Sequence, residues 1–243
     1  MSDQENRSSN PVPRLWHCHN ARSLRPLWAM AEMGMEYELI ELPFPPRIFQ
    51  KDFLATNALG TVPYFEHGDI NMTESSGILQ YLVEINRQQN HNAGETDLGI
   101  EPGHPDFANY LNWLFHSDAT LTFPQTIVMR YAVLEPEERR LPQAVADYAK
   151  WYIARLRRLD ATLLEREYLC DNRFTVADIA IGYALYFGSV LGLDKRYSTQ
   201  VNEYLARLTA RPAFQQVVVI GEENSPFTPE MREAIHVYTD AAF

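Results

Sequence analysis

Cysteine is scarce in this chain, with only Cys18 and Cys170 among 243 residues. Two are too few for a disulfide framework. They are spaced neither as a C-x-x-C redox pair nor as repeated zinc-ligand pairs, so both read as reduced thiols. Basic residues are also short, 21 Lys and Arg against 32 Asp and Glu, for a net charge of −11. That excess of carboxylate argues against a broad nucleic-acid or anionic-membrane footprint, because such surfaces reward dense Lys and Arg. No apolar run approaches the roughly 20 residues that span a bilayer, and the opening MSDQENRSSNPVP lacks the apolar core of a signal peptide. The expectation is a soluble cytoplasmic protein with no membrane and no nucleic acid among its partners. No internal repeat or low-complexity tract interrupts the chain.

With 46% hydrophobic residues the chain can bury a sizeable core. Residues 1–12 are polar and lack any period that would bury a face, and read as a flexible tail. Arg14 to Cys18 reads as a strand. Ser23 to Met33 carries helical spacing through Leu24, Leu27, Trp28 and Ala31, with Pro26 tolerated in the first turn and Gly34 placed as the C-terminal cap. Tyr37 to Leu42 alternates as a second strand. After a Pro-rich loop over 43–46, Val62 to Glu66 and Ile70 to Thr73 form a hairpin around His67-Gly68-Asp69. A helix then runs from Glu74 to Asn86 with Ile78, Leu79, Leu82, Val83 and Ile85 on its apolar face, and Gly77 near its start would let a neighbouring backbone approach. The order is β-α-β followed by β-β-α.

Gly and Pro punctuate the polar stretch that follows, which divides the chain into 13–88, a linker over 89–104, and 105–243. Everything beyond the linker has helical character. Helices are expected from Asp106 to Leu121, Pro142 to Glu165, Val176 to Leu191, Thr199 to Thr209 and Pro212 to Val219. The third of these is almost wholly apolar and must be buried. The segment after it all, beyond residue 219, has no readable structure.

Short motifs narrow this arrangement. Asn57-Ala58-Leu59-Gly60-Thr61-Val62-Pro63 resembles the Asn-Pro-x-Gly-x-Val-Pro loop of the glutathione S-transferase superfamily, with Ala58 for the usual proline. Glu74-Ser75 resembles that family's Glu/Gln-Ser pair, Phe174-Thr175-Val176-Ala177-Asp178-Ile179 its helix-start signature, and Arg211-Pro212-Ala213-Phe214 a common late helix start. The resemblance covers roughly residues 13 to 220. It implies an α+β fold, an N-terminal thioredoxin-like β-α-β-β-β-α domain followed by an all-α helical bundle domain, a homodimer, and glutathione as co-substrate with no metal.

The resemblance also implies a cis bond before Pro63 and, at Val62, backbone groups free to pair with the cysteinyl part of a bound tripeptide as an added strand would. Glu74 would accept the ammonium of the γ-glutamyl group while Ser75 and the helix start receive its carboxylate. Read without the family, Ser75 is an N-cap and Val62-Pro63 a turn. Gln50 and Lys51, with Arg47, occupy the loop from which family members reach the glycyl carboxylate. Thr175 and Asp178 form a capping box and read as structural.

The central task of such an enzyme is to lower a thiol pKa from near 8.5, and a two-unit depression needs about 2.7 kcal/mol of preference for the anion. The residues that can reach the sulfur lie in the turn His19-Asn20-Ala21-Arg22-Ser23, which resembles bacterial members carrying serine there. Ser23 is the leading thiol-activating candidate, through its hydroxyl or its N–H, with a plain N-cap as the alternative. Asn20 follows, since an amide N–H₂ can hold a thiolate. Arg22 either faces solvent or raises the thiolate fraction and binds an acidic second substrate. His17 and His19 form an H-x-H pair without a third metal ligand.

Trp113, His116, Phe123 and Tyr183 are candidates for the second-substrate pocket, against a core role for any one of them, and Asp118 for contact with a partner subunit's ligand. The function expected is transfer of glutathione thiolate to a small apolar or aromatic electrophile, a detoxification chemistry. Glutathione-dependent ether cleavage or isomerisation, and a non-catalytic protein-binding module of the same fold, are the alternatives. A thiol-disulfide oxidoreductase is disfavoured because the turn has no cysteine.

Overall fold

The computed structural model describes residues 11–89, 94, 97–225 and 227–243. Most of the expected tail, and residues 90–93, 95 and 96 of the expected linker, lie outside them. Four strands, β1 (Arg14–His17), β2 (Glu38–Glu41), β3 (Tyr64–His67) and β4 (Ile70–Met72), form one sheet in the order β2-β1-β3-β4. β1 pairs parallel with β2, Leu15 opposite Leu39, and antiparallel with β3, Leu15 opposite Phe65. The parallel pair needs a crossover, which helix α1 (Leu24–Glu32) supplies.

Alternation along β1 sends Leu15 to one face and Trp16 to the other. Leu15 and Phe65 join the main core with Leu27 and Trp28 of α1 and Ile78 and Leu82 of α4 (Ser75–Gln89). Trp16 packs with Phe53 and Tyr64 in a smaller cluster on the opposite face. Phe53 comes from the second of two short helices not expected from the sequence, α2 (Pro46–Phe49) and α3 (Phe53–Thr56).

Gly34 takes φ of +64°, and the N–H of Met35 reaches the carbonyl of Met30 at 3.0 Å, which closes α1 as the sequence suggested. The expectation for Gly77 is corrected. A Cβ there would meet only the side chains of Met72 at 3.5 Å and Glu74 at 3.8 Å, so no backbone approaches it.

From Phe107 the chain is helical. Helix α5 (Phe107–Phe115) passes through a π-helical segment (His116–Thr122) into α6 (Phe123–Met129) and a second π segment (Arg130–Leu134). Helices α7 (Pro142–Arg155), α8 (Arg157–Leu163), α9 (Val176–Val190), α10 (Thr199–Thr209), α11 (Pro212–Val218) and α12 (Pro229–Asp240) follow. Every residue of α9 except Tyr186 and Ser189 is buried, and α9 packs against α1, α4 and α5. An N-terminal thioredoxin-like part is thus followed by an all-α part, as the sequence implied. No helix of the described residues is long and apolar enough to cross a membrane.

Candidate active site

One cavity of about 420 Å³ opens where the turn after β1, the loop before β3, the start of α4 and helices α6 and α9 meet. Its wall includes Asn20 and Arg22, Arg47, Val62 and Pro63, and Glu74 and Ser75. The rest is largely apolar, from Phe44, Leu59, Met129, Tyr183, Phe187 and Phe227.

Asn57 builds the loop. Its Nδ2 donates to the Thr61 carbonyl at 2.8 Å, its Oδ1 accepts from the Leu59 N–H at 3.1 Å, and its carbonyl accepts from the Gly60 N–H at 2.8 Å. Gly60 sits at φ +58° with the Arg47 stem 2.7 Å from where a Cβ would be, so a side chain there would displace Arg47. The Val62–Pro63 bond is cis, and Val62 takes part in no backbone hydrogen bond among the described residues.

At the start of α4 the Ser75 hydroxyl is nearly buried and accepts a hydrogen bond from Arg25 Nη1 at 2.9 Å. Arg25 is the residue that the sequence reading missed. It lies in the first turn of α1, wholly buried, and also donates to Asp118, to Thr122 Oγ1 at 2.9 Å and to the Ser117 carbonyl at 3.3 Å. The π segment makes this possible, because its wider turn brings residues five apart together. Thr122 Oγ1 donates to the Ser117 carbonyl at 2.6 Å. Burial would push the Asp118 carboxyl up, but Arg25 and Ser76 outweigh it and hold the group below the usual carboxylate range. Both Asp118 oxygens are engaged inside the chain, one by Arg25 and the other by Ser76 Oγ at 2.5 Å.

The turn after β1 places Ser23 and Asn20 in different surroundings. Ser23 has 0% exposure and presents no surface to the cavity. Its hydroxyl is bonded to Nδ1 of His17 at 2.9 Å and accepts from the Cys18 N–H at 3.3 Å. Helix α1 starts at Leu24, so Ser23 lies at its inner edge and is consumed in closing the turn. Asn20, unlike Ser23, reaches the cavity. Its φ of 60° is the left-handed conformation that Asn tolerates, and it lines the cavity. Tyr186 donates to its Oδ1 at 2.7 Å and Tyr183 to its carbonyl at 3.0 Å, while Nδ2 is buried without a partner among the described residues. The Arg22 N–H is likewise in no hydrogen bond among them. The Arg22 side chain lines the cavity with its Nη1 3.6 Å from Asp118.

Burial pushes the Cys18 thiol up to about 12, so it is no nucleophile at neutral pH. His17 is buried and His19 nearly so, with His19 Nδ1 donating to the Ile220 carbonyl at 3.1 Å. No group of three potential metal ligands comes together among the described residues.

Of the residues expected in the second pocket, only Tyr183 lines the cavity. Trp113 is buried beside a different cleft, with Asn109 and Arg158. His116 packs on Trp113, with ring centroids 5.4 Å apart, and Phe123 is exposed against Tyr148. Gln50 and Lys51 are exposed and outside the cavity, and of that loop it is Arg47 that lines it.

Residues 11–84 match the N-terminal domain of glutathione S-transferases. The chain is 28% identical over 214 residues to glutathione S-transferase GstB of Escherichia coli K12, spanning 85% of this chain and 97% of that one. Residues 11–84 thus carry the N-terminal domain of that family, and over most of its length the chain is similar to glutathione S-transferases. Its fold is that of a glutathione transferase from Methylococcus capsulatus, at a TM-score of 0.73 and 24% identity over 87% of this chain and all of that one. A sphingomonad glutathione S-transferase, solved in complex with glutathione, superposes equally well, with a TM-score of 0.73 and 24% identity over 86% of this chain and 98% of that one.

Proposed function

We propose that the protein is a glutathione transferase that binds glutathione along the Val62 to Ser75 wall of the cavity and delivers its thiolate to an apolar or aromatic electrophile. The observation that carries this is the gathering, in one cavity, of groups complementary to each part of the tripeptide. The Val62 backbone is free to pair with the cysteinyl residue as an added strand. Glu74, with no salt bridge among the described residues, suits the γ-glutamyl ammonium, and Ser75 with the first N–H groups of α4 suits its carboxylate. Arg47 is placed for the glycyl carboxylate.

The thiol end would lie at Asn20. There the free Nδ2 and the Arg22 N–H supply the two donors that a thiolate needs, in place of the Ser23 hydroxyl. The apolar wall of Phe44, Met129, Tyr183, Phe187 and Phe227 would take the electrophile. In the reaction sulfur donates its electron pair to the electrophilic carbon, the S–C bond forms, and the leaving group departs with the electrons of the bond that breaks. Burial keeps the Tyr183 phenol protonated at neutral pH, so it acts as a hydrogen-bond donor and not as a base.

The reading includes domain boundaries at 13–88 and 105–243, a homodimer and a cytoplasmic location. The two buried free thiols suit a reducing compartment. Calorimetric titration with reduced glutathione tests the function. Saturable binding abolished by a double Glu74→Ala/Ser75→Ala variant supports it, and absence of heat from the wild type refutes it.

A further inference from the structure

We propose that Arg25 is a positioning residue for glutathione. It acts through Ser75, fixing that hydroxyl as a donor to the α-carboxylate of the γ-glutamyl group. The inference rests on the glutathione reading above and adds a residue to it.

Arg25 and Ser75 lie 50 positions apart and meet at 2.9 Å, Nη1 to Oγ. A hydroxyl has one proton and two lone pairs. The guanidinium is donor-only, so by filling one lone pair it bars the Ser75 proton from its own side and leaves that proton for an acceptor on the cavity side. The guanidinium is itself held in place from several directions. Asp118, Thr122 Oγ1 at 2.9 Å and the Ser117 carbonyl at 3.3 Å accept from it, and the Tyr183 ring centroid lies 4.7 Å from its central carbon.

The charge behind Ser75 has the sign that a carboxylate requires. Arg25 and Arg22 share the single carboxylate of Asp118, so this cluster of three carries one net positive charge. Placed behind a hydroxyl at the first turn of α4, that charge strengthens the hydroxyl as a donor to an anion. A lysine at position 25 would keep the charge but could not fork to Ser75, Asp118, Thr122 and Ser117 together.

The competing role is a simple strut between α1, α4 and the π segment. Titration of wild type, Arg25→Lys, Ser75→Ala and the double variant separates the two, using two ligands. One is reduced glutathione and the other is 4-aminobutanoyl-cysteinylglycine, the same tripeptide without its α-carboxylate. Thermal unfolding of each variant checks its fold. If Arg25→Lys does not fold, Arg25→Met/Asp118→Asn removes both buried charges at once and takes its place.

The expected result is a roughly ten-fold or greater loss of glutathione affinity in Arg25→Lys. The decarboxylated ligand should lose nothing, and Arg25→Lys should lose nothing further on the Ser75→Ala background. Equal weakening of both ligands, or a full additional loss in the double variant, would overturn the role of Arg25 while leaving the glutathione reading intact. No binding of glutathione by the wild type would overturn that reading and this inference with it.

Discussion

The Tyr186 hydroxyl donates to Oδ1 of Asn20 at 2.7 Å, which fixes the amide plane from one side and leaves Nδ2 buried and unpartnered at the cavity. Tyr183, one turn earlier on α9, holds the Asn20 carbonyl at 3.0 Å. Two tyrosines of the all-α part thus set the geometry of a residue in the β1–α1 turn. An unsatisfied buried donor is costly, and it persists where a ligand supplies the acceptor.

Asn20→Ala should therefore lower kcat/KM for an activated aryl halide by about 10- to 100-fold, the worth of one donor to a developing or resting anion. Ser23→Ala should leave kcat/KM within about two-fold and lower stability by about 1 kcal/mol, because its hydroxyl serves His17 and Cys18. Steady-state kinetics with denaturant unfolding on both variants checks this. The reverse pattern would return the thiol to Ser23.

The loop residues are separable in the same way. Arg47→Ala should weaken glutathione about ten-fold by loss of a charged partner for the glycyl carboxylate, whereas Gln50→Ala and Lys51→Ala should change it less than two-fold. Calorimetry on the three variants decides.

Asp178 accepts four hydrogen bonds, from the Thr175 N–H at 2.8 Å, Thr175 Oγ1 at 2.9 Å, the Leu169 N–H at 3.0 Å and Tyr204 Oη at 2.7 Å. Asp178→Ala should cost about 3 to 4 kcal/mol, more than a cap alone, since it strands several buried donors. Thermal unfolding should shift down by roughly 10 °C, with glutathione affinity of the folded protein unchanged.

Stability should also fall on mild acidification. Burial, with His19 nearby, lowers the His17 pKa to about 4, and burial with Arg158 and Arg155 nearby does the same for His116. An unfolded histidine titrates near 6.5. Between those values the unfolded chain binds protons that the native one does not, so stability is full above about pH 6.5 and is lost as pH falls toward 4. At pH 5 the buried His17 should cost roughly 2 kcal/mol, and the half-buried His116 less because solvent screens it. Urea midpoints at pH 7 and pH 5 measure it, and His17→Asn should flatten the slope. Equal midpoints in the wild type would contradict this assignment.

Much of the architecture was legible because it rests on local pattern. Alternation set β1 and β2, the apolar stripe of α4 and the all-round apolarity of α9 fixed their burial, and the capping box marked where α9 begins. The loop from Asn57 to Pro63 and the Glu74-Ser75 pair, which line the cavity, were singled out by family resemblance and not by local pattern. Side-chain direction was not legible where distant contacts decide it. Asn20 and Ser23 differ in surroundings because Tyr183 and Tyr186 reach the first while the second is buried at the start of α1.

Trp113 lies on α5 and His116 opens the π segment that follows it. One extra residue per turn rotates every later position off the 3.6-residue pattern, which also carries Phe123 outward. Arg25 left one signal, a cation flanking the apolar stripe of Leu24, Leu27 and Trp28, but its partners Ser75, Asp118 and Thr122 are visible only in three dimensions.

The ultraviolet absorbance of the glutathione thiolate, followed across pH in the saturated complex, tests the central claim most directly. A glutathione-activating site at Asn20 predicts an apparent thiol pKa clearly below the free value of about 8.5 in the wild type and in Ser23→Ala, and near that value in Asn20→Ala. A thiol that titrates near 8.5 in the saturated wild type would contradict the account.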